Sequence, residues 1–160
     1  DMAKMAKREV RPRAAGSAWG GLNPGDLVVV DSAPLIYLLD DQPVFAPLFS
    51  GLFEDFERGA VVIAVSTIAV AEVLAGPCKH GQDALAKRYE KALAGFEVVP
   101  VTQEIAVTAA RLRVTAGLRL PDALQAATAL EMGAVALVTH DRHFSRLAGL
   151  RVMTGAAGGR

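Results

Sequence analysis

Four carboxylate residues stand at positions where a globular chain usually places apolar or neutral side chains. They are Asp31, Glu72, Asp122 and Asp141. Several unpaired carboxylates within a few ångströms repel each other, so one of them takes up a proton or a cation offsets their charge. Ligand sets made only of oxygen favour Mg²⁺ or Mn²⁺ over zinc. The four residues therefore predict a shared acidic pocket that holds a hard divalent cation.

Two of these acids follow apolar runs that are typical of buried strands. Asp31 comes directly after the run Leu-Val-Val-Val at 27–30, and Asp141 comes three residues after Val-Ala-Leu-Val at 135–138. Ligands of open parallel sheets bind at the carboxyl ends of the strands, so both acids are expected at one sheet edge. Each acid also has an ordinary alternative, because Asp31 could cap the following helix and Asp141 could be a turn residue.

The other two acids belong to predicted helices. Glu72 is the only charged residue between positions 61 and 74, and Asp122 opens an Ala-rich helix after Pro121. Glu72 could instead face solvent, and Asp122 in a first turn favours the helix dipole whatever its function. Local capping does not explain why all four acids fall at positions that can meet at one edge of the predicted sheet. Their combination therefore supports a common crevice.

Strand-like and helix-like segments alternate along the chain. Strands are predicted at 27–30, 61–65, 96–101, 135–138 and 150–153. Helices are predicted from a Ser32 cap to 39, at 46–58, from Ser66 or Thr67 to a stop at Gly76-Pro77, at 82–93, from a Thr102 cap to 116, at 121–132 and around 144–147. This alternation predicts an α/β fold in which helices cover both faces of a mostly parallel sheet.

Length and composition predict one globular domain. The chain has 160 residues, of which 52% are apolar, enough for a sizeable core. We expect 1–25 to be a flexible arm, 26–154 the domain and 155–160 a loose tail. Basic and acidic residues number 17 each, so nucleic-acid binding would need a local patch. The candidates for such a patch are Arg111, Arg113, Arg119, Arg142 and Arg146.

Cysteine content and hydropathy bear on the compartment. The single cysteine, Cys78, excludes an internal disulfide framework and suits a reducing compartment. A catalytic role for Cys78 is the less favoured interpretation, since a lone cysteine in a Gly-Pro-Cys loop is usually incidental. The longest apolar stretch, 61–75, is too short and too polar to span a membrane. A cytoplasmic protein without a membrane partner is expected.

Four segments of the chain resemble the PIN-domain family, and most closely the VapC-like toxins of bacterial toxin–antitoxin pairs. Their order and separations are more specific than any one segment alone. The resemblance runs from about Leu27 to Met153. The segments are VVVDSAPLIYLL at 28–39, STIAVAEVLAG at 66–76, LPDALQAATA at 120–129 and LVTHDRHF at 137–144.

The resemblance implies a Rossmann-like α/β/α sandwich whose acids coordinate Mg²⁺ or Mn²⁺. It also implies cleavage of single-stranded RNA, commonly by a homodimer that a cognate antitoxin holds inactive. Ser32 and Thr139 match positions that often carry hydroxyls near the metal. Asp31, Glu72, Asp122 and Asp141 match the family's acidic positions, which makes them the predicted catalytic and metal-binding residues.

The chain departs from the family pattern in two side chains next to the acids. His140 stands where Asn is common, and His143 stands where another acid often appears. The missing fifth carboxylate leaves the number of metal ions open, at one or two. The N-terminal arm is also unusual, since such toxins often begin almost directly with the first strand.

The leading hypothesis is metal-dependent hydrolysis of RNA phosphodiesters, and two alternatives stay open. The first is a non-catalytic module that uses the same fold to bind a partner, which intact acids disfavour. The second is a haloacid-dehalogenase-like phosphatase, because Asp31 ends the first strand. That chemistry normally needs a second Asp two positions on, where this chain has Ala33.

Overall fold

A computed structural model of the chain describes residues 18 to 155, where a short 3₁₀ turn precedes five strands and six α-helices. The strands are β1 (Leu27–Val30), β2 (Val62–Ser66), β3 (Glu97–Val99), β4 (Ala136–Val138) and β5 (Val152–Met153). The helices are α1 (Ser32–Leu39), α2 (Ala46–Glu57), α3 (Thr67–Lys79), α4 (Asp83–Leu93), α5 (Gln103–Ala116) and α6 (Leu120–Glu131). Within this part of the chain, no helix has the length and hydropathy needed to cross a membrane.

The five strands form one parallel sheet in the order β3-β2-β1-β4-β5. Val28 of the central strand β1 pairs with Ile63 of β2 on one side and with Ala136 of β4 on the other. The chain builds outward from β1 to β3 and then crosses to β4, which leaves a switch point between β1 and β4. Crevices for ligands open at the carboxyl ends of strands at such a point.

Helices cover both faces of the sheet, which confirms the predicted α/β/α architecture. Val28 and Val30 belong to a core that includes residues of α1, α2, α3 and α4. Val29 points to the opposite face and belongs to a second core, which includes residues of α5 and α6. All three valines are fully buried, and burial of each contributes about 1.5–3 kcal/mol. The two cores fix the strand ends relative to the surrounding helices.

Helix α6 is buried along most of its length. All seven residues from 123 to 129 are inaccessible or nearly so, including the polar residues Gln125 and Thr128. Four of the seven are alanines, and their small side chains allow α6 to pack closely against α5, α3, β1 and β4. Gln125 and Thr128 therefore face the protein interior.

Helix α3 runs through its predicted stop at Gly76-Pro77 and ends two residues later, at Lys79. Pro77 lies inside the helix, which ends at Lys79, so the predicted boundary was wrong. A proline in a last turn removes a single backbone hydrogen bond, and Pro77 is buried against the domain. Its packing and the bond from the His80 N–H to the Gly76 carbonyl keep the last turn helical.

The segment from Ala18 to Leu22 packs against α2, although the sequence predicted a flexible arm here. Ala18 and Leu22 are buried. The Trp19 indole donates a 3.1 Å hydrogen bond to the Leu48 carbonyl, and its backbone N–H donates to Asp55. Residues 1–17 of the predicted arm and the tail after 155 lie outside the described residues, so the domain boundaries stay predictions.

Candidate active site

Asp31 lies directly after β1 and uses both carboxylate oxygens. Its Oδ1 accepts a 2.8 Å hydrogen bond from the Ser32 N–H, and its Oδ2 accepts a 2.7 Å bond from the Thr139 hydroxyl. Asp31 thus caps α1, which was its ordinary alternative in the sequence, whereas Ser32, also predicted as a cap, is the first residue of the helix. Burial raises its pKa, as do the nearby charges of Asp122 and Asp141, while the two hydrogen bonds act in the opposite direction.

Thr139 joins the ends of β1 and β4. Its side chain is fully buried, and the hydroxyl that donates to Asp31 accepts a 3.0 Å bond from the Asp141 N–H. Its own backbone N–H donates to the Met153 carbonyl, which continues the pairing of β4 with β5. One hydroxyl therefore connects the two acids that follow neighbouring strands.

Asp141 begins the 3₁₀ segment Arg142–Arg146 that follows β4. Its Oδ1 accepts a 2.9 Å bond from the His143 N–H and lies 2.8 Å from the Nδ1 of the same residue. The Asp141 side chain is 30% exposed, whereas that of His143 is 87% exposed. Asp141 therefore has the turn-capping role that was its ordinary alternative, at the expected end of a buried strand.

Glu72 projects from α3 toward Asp31. Its side chain is exposed as a whole, yet its carboxylate is shielded enough that burial is the main cause of a raised pKa. The charges of Asp31 and Asp122 raise the pKa further, whereas the Gln125 amide and the Ser32 hydroxyl partly offset this effect. Glu72 therefore shares its surroundings with two of the other predicted acids.

Asp122 lies in the first turn of α6 and borders an open crevice of about 590 Å³. Its Oδ2 is 3.4 Å from the Arg119 Nε, but Arg119 is 81% exposed, so this ion pair contributes little to stability. Arg142 and His143 line the same crevice. The crevice therefore connects Asp122 with the segment that begins at Asp141.

The four predicted acids interact electrostatically at the switch point of the sheet. Asp31 interacts with Asp122 and Asp141, and Glu72 interacts with Asp31 and Asp122. Across residues 18–155, however, no three Asp, Glu, His or Cys side chains converge closely enough to form a ready metal site. The donor chemistry still fits a hard cation, because these four side chains offer only oxygen and their mutual repulsion favours a neutralising ion.

An aromatic group around His140 was not found from the sequence. The Tyr37 hydroxyl lies 2.7 Å from the His140 Nδ1. The rings of Phe45 and Phe49 have their centroids 4.9 and 5.9 Å from that of His140. Phe45 is 36% exposed, whereas Phe49 is buried. The only hint in the sequence was His140 itself, which replaces the Asn that is common in the resembled family.

Gln125 is another residue of interest that the sequence did not single out. It is fully buried on α6, one turn after Asp122. Neither of its side-chain amide atoms has a hydrogen-bond partner. A lone amide in the run Ala-Leu-Gln-Ala-Ala was the available signal, but its importance depends on the burial of α6.

The predicted basic residues separate into different surfaces. Arg119 and Arg142 line the crevice beside Asp122. Arg113 lines a different groove, which it shares with Val114 and Leu118, and Arg111 is exposed on α5. The side chain of Arg146 lies outside the described residues. Among the predicted arginines whose side chains are described, only Arg119 and Arg142 therefore lie beside the acids.

A parallel α/β sandwich with carboxylates at its switch point defines a class of domains that bind charged ligands at one sheet edge. Within this class, the model of the PIN domain family matches residues 28–150. The chain belongs to the PIN-domain family, whose members include nucleases. This assignment confirms the resemblance carried by the four sequence segments, and it removes the haloacid-dehalogenase-like alternative.

Several solved structures are similar to the chain over nearly their whole length. A toxin–antitoxin complex from Klebsiella pneumoniae is 29% identical, with a TM-score of 0.61, and the match covers 81% of this chain and 98% of that chain. VapBC2 from Rickettsia felis, bound to a promoter DNA fragment, is 20% identical with a TM-score of 0.66 and coverage of 79% and 96%. Mycobacterium tuberculosis VapC20, a sarcin-ricin loop cleaving toxin, is 15% identical with a TM-score of 0.61 and coverage of 78% and 98%. The latter two likenesses establish the fold alone, and no curated protein matches the chain significantly.

Proposed function

We propose that this chain is a divalent-metal-dependent endoribonuclease that cleaves single-stranded RNA and acts as the toxin of a toxin–antitoxin pair. The observation that carries the proposal is the group of four interacting carboxylates at the switch point of a PIN domain. Such a group exists at a cost, because like charges repel and burial disfavours the ionised forms. Binding of a cation and a phosphodiester gives a physical reason for its presence.

In this proposal Asp31, Glu72, Asp122 and Asp141 hold Mg²⁺ or Mn²⁺. A bound divalent ion lowers the pKa of water and offsets charge on the phosphate. Thr139 supports the site by keeping the Asp31 carboxylate in place, since its hydroxyl donates to Oδ2. Ser32 supports it through its backbone N–H, which donates to Oδ1.

The half-buried Asp122 would accept the proton of the attacking water. Its position on the crevice gives it access to both solvent and substrate. Attack by water on the phosphorus, with departure of the 3′ oxygen, leaves a 5′-phosphate and a 3′-hydroxyl. The RNA 2′-hydroxyl is not the nucleophile in this route, so a preference for RNA would come from binding.

Substrate binding would use the two arginines of the crevice and the exposed ring beside His140. Arg119 and Arg142, which line the crevice together with Asp122, would contact the phosphates. Phe45 offers a partly exposed aromatic face next to His140, and unpaired bases stack on such faces. Stacking requires bases that are not already paired, which agrees with a single-stranded substrate.

The proposed partners are a cognate antitoxin and a second copy of the chain, in the cytoplasm. The antitoxin is supported by the Klebsiella pneumoniae toxin–antitoxin complex, which is 29% identical. Leu35, Phe49 and Phe53 are buried in the core, so they offer no surface for a dimer. Val114, which is 86% exposed on α5, and Leu120, which is 50% exposed, offer apolar surface instead. Sedimentation of the purified chain measures its oligomeric state.

The test compares cleavage of single-stranded RNA by the wild type and by Asp31→Asn, in Mg²⁺ and in EDTA. Loss of a metal-binding carboxylate is expected to lower the rate by at least about 100-fold, because several kcal/mol of charge stabilisation are lost. Asp83→Asn, which changes an exposed acid on α4, is the matched control and should cleave normally. Cleavage that persists in EDTA or in Asp31→Asn would contradict the proposal and favour the non-catalytic binding module.

A further inference from the structure

The Gln125 side chain presents an unusual energetic problem. It is completely buried, and both Nε2 and Oε1 lack a hydrogen-bond partner, a condition shared with no other described side chain. Leaving a buried amide unpaired costs about 1–3 kcal/mol. Such groups are uncommon in native proteins, and each requires an explanation. A leucine of similar size would avoid this cost, so the amide itself requires a reason.

The position of Gln125 indicates what the amide could bind. It follows Asp122 by three residues on α6, so the two side chains lie on the same face of the helix. Helix α6 packs against α3, which carries Glu72. The Gln125 amide lies close enough to the Glu72 carboxylate to lower the pKa of Glu72 as a weak side-chain hydrogen bond would, although the two groups do not meet the distance and angle of a full hydrogen bond.

We propose that Gln125 is a positioning residue, whose Nε2–H donates to the Glu72 carboxylate when the acids hold their divalent cation. The inference rests on the proposed function and assigns to Gln125 a role in metal binding that its apolar neighbours do not have. Glu72 is exposed and sits on a long side chain, so it has rotamer freedom that must be lost on binding. A hydrogen bond from a buried donor at a fixed place on α6 offsets the free-energy cost of that loss.

The proposal predicts opposite effects on stability and on metal binding. An apolar residue at position 125 removes the unpaired amide, so the metal-free protein should be as stable as the wild type or more stable. The same change removes the donor that orients Glu72. Loss of a residue that orients a metal ligand typically weakens metal affinity 10–100-fold. If Gln125 only filled space, its replacement would leave metal affinity unchanged and could lower only the stability of the metal-free protein.

The experiment measures Mn²⁺ binding by calorimetry and the thermal midpoint in EDTA for wild type, Gln125→Leu and Gln125→Met. We expect the Mn²⁺ Kd to rise by about tenfold or more in both variants, with no fall in the midpoint. Thr128→Val is the matched control, because Thr128 is buried on the same helix but its hydroxyl is satisfied by the Leu124 carbonyl. The control should keep wild-type affinity. A Kd within twofold of the wild type in whichever Gln125 variant folds overturns the proposal.

A double-mutant cycle tests whether Gln125 acts through Glu72. In the Glu72→Gln background, Gln125→Leu should cause little further loss of Mn²⁺ affinity, because the carboxylate that it orients is gone. Full additivity of the two changes overturns the proposal even if each weakens binding. Failure of the proposed function has a separate signature, in which the wild type itself binds no Mn²⁺ or Asp31→Asn binds it equally well.

Discussion

Asp31 shows how one side chain can meet a structural and a chemical requirement together. The sequence offered a helix cap and a metal ligand as alternatives for this residue. In the fold, Oδ1 caps α1 through the Ser32 N–H while Oδ2 is held by Thr139. Both hydrogen bonds fix the orientation of a carboxylate that is only 7% exposed. Capping therefore supports the proposed metal role, because it immobilises the carboxylate before any ligand arrives.

The raised pKa values of Asp31 and Glu72 predict a pH-dependent stability in metal-free protein. Because both folded-state pKa values are raised, the folded protein holds these protons more tightly than the unfolded chain does. Their contribution to stability is present below the ordinary carboxyl range and is lost as the pH rises through the raised values. In EDTA, the thermal midpoint of wild type should therefore fall relative to that of Asp31→Asn as the pH rises from the ordinary carboxyl range through the raised values.

Thermal unfolding of the two proteins at a series of pH values measures this difference. Most other carboxylates titrate alike in both proteins, so the difference between their midpoints reports the contribution of Asp31 together with the part of the Glu72 shift that the Asp31 charge causes. Asp83→Asn is the control, and its midpoint should follow that of the wild type. A wild-type midpoint that rises with pH relative to Asp31→Asn would show that the carboxylate is stabilised, not destabilised, by its surroundings.

At the scale of helices and strands, the sequence predicted those features that depend on local pattern. Apolar runs located β1 and β4, and the residues after them, Asp31 and Asp141, were correctly expected at strand ends. The Thr102 cap of α5 was also correct, since its hydroxyl accepts from the Ile105 N–H. These features were predictable because hydrogen bonding and burial within a few residues determine them.

Features that depend on packing between elements were not predictable in the same way. Pro77 usually ends a helix, but its burial keeps it within α3. Gln125 and Tyr37 gain significance only because α6 is buried and α1 approaches the loop that carries His140. No local pattern specifies those approaches, since they follow from the assembly of the whole sheet.

A crevice lies between the start of α6 and the 3₁₀ segment after β4. We expect an arginine that lines this crevice to bind RNA and an arginine outside it not to. Arg142 lines this crevice beside Asp122, whereas Arg111 is exposed on α5 and does not line it. Each phosphate contact contributes about one unit to the slope of log affinity against log salt. Arg142→Ala should therefore weaken RNA binding and reduce that slope by about one, and Arg111→Ala should change neither.

Fluorescence anisotropy with a single-stranded RNA, measured over a range of salt concentrations, gives both quantities. The Asp31→Asn background prevents cleavage during the measurement. Equal slopes for Arg142→Ala and Arg111→Ala would place the RNA on a different surface from the crevice.

At the scale of the whole molecule, both ends of the described chain meet on helix α2. Trp19 packs with its ring centroid 6.1 Å from that of Phe49 and bonds to the Leu48 carbonyl. At the other end, Gly155 lies so close to Phe49 that an added Cβ would be 2.8 Å from its ring. Phe49 in turn contacts His140. The segment around Trp19 is therefore part of the folded domain.

Removal of the Trp19 ring should lower the stability of the whole domain. Trp19→Ala is expected to reduce the free energy of unfolding by about 2–3 kcal/mol, because it removes ring packing and an indole hydrogen bond. Trp19→Phe keeps most of the packing and should lose only about 1 kcal/mol. Urea unfolding followed by circular dichroism measures both changes. Tryptophan fluorescence cannot be used, because Trp19 is the only tryptophan and both variants lack it. A change below about 0.5 kcal/mol for Trp19→Ala would mean that this segment adds nothing to the fold.

The sheet order has a consequence for how a cell makes this protein. The first strand in the chain occupies the centre of the sheet, and its neighbour β4 is the fourth strand along the chain. The hydrogen bond from Thr139 to Asp31 joins residues 108 positions apart. A ribosome therefore exposes Asp31 and Glu72 long before the strand that completes their surroundings has been synthesised. Translation products that stop before β4 contain only part of the acidic centre, so the four acids can assemble only after β4 and Asp141 have been synthesised.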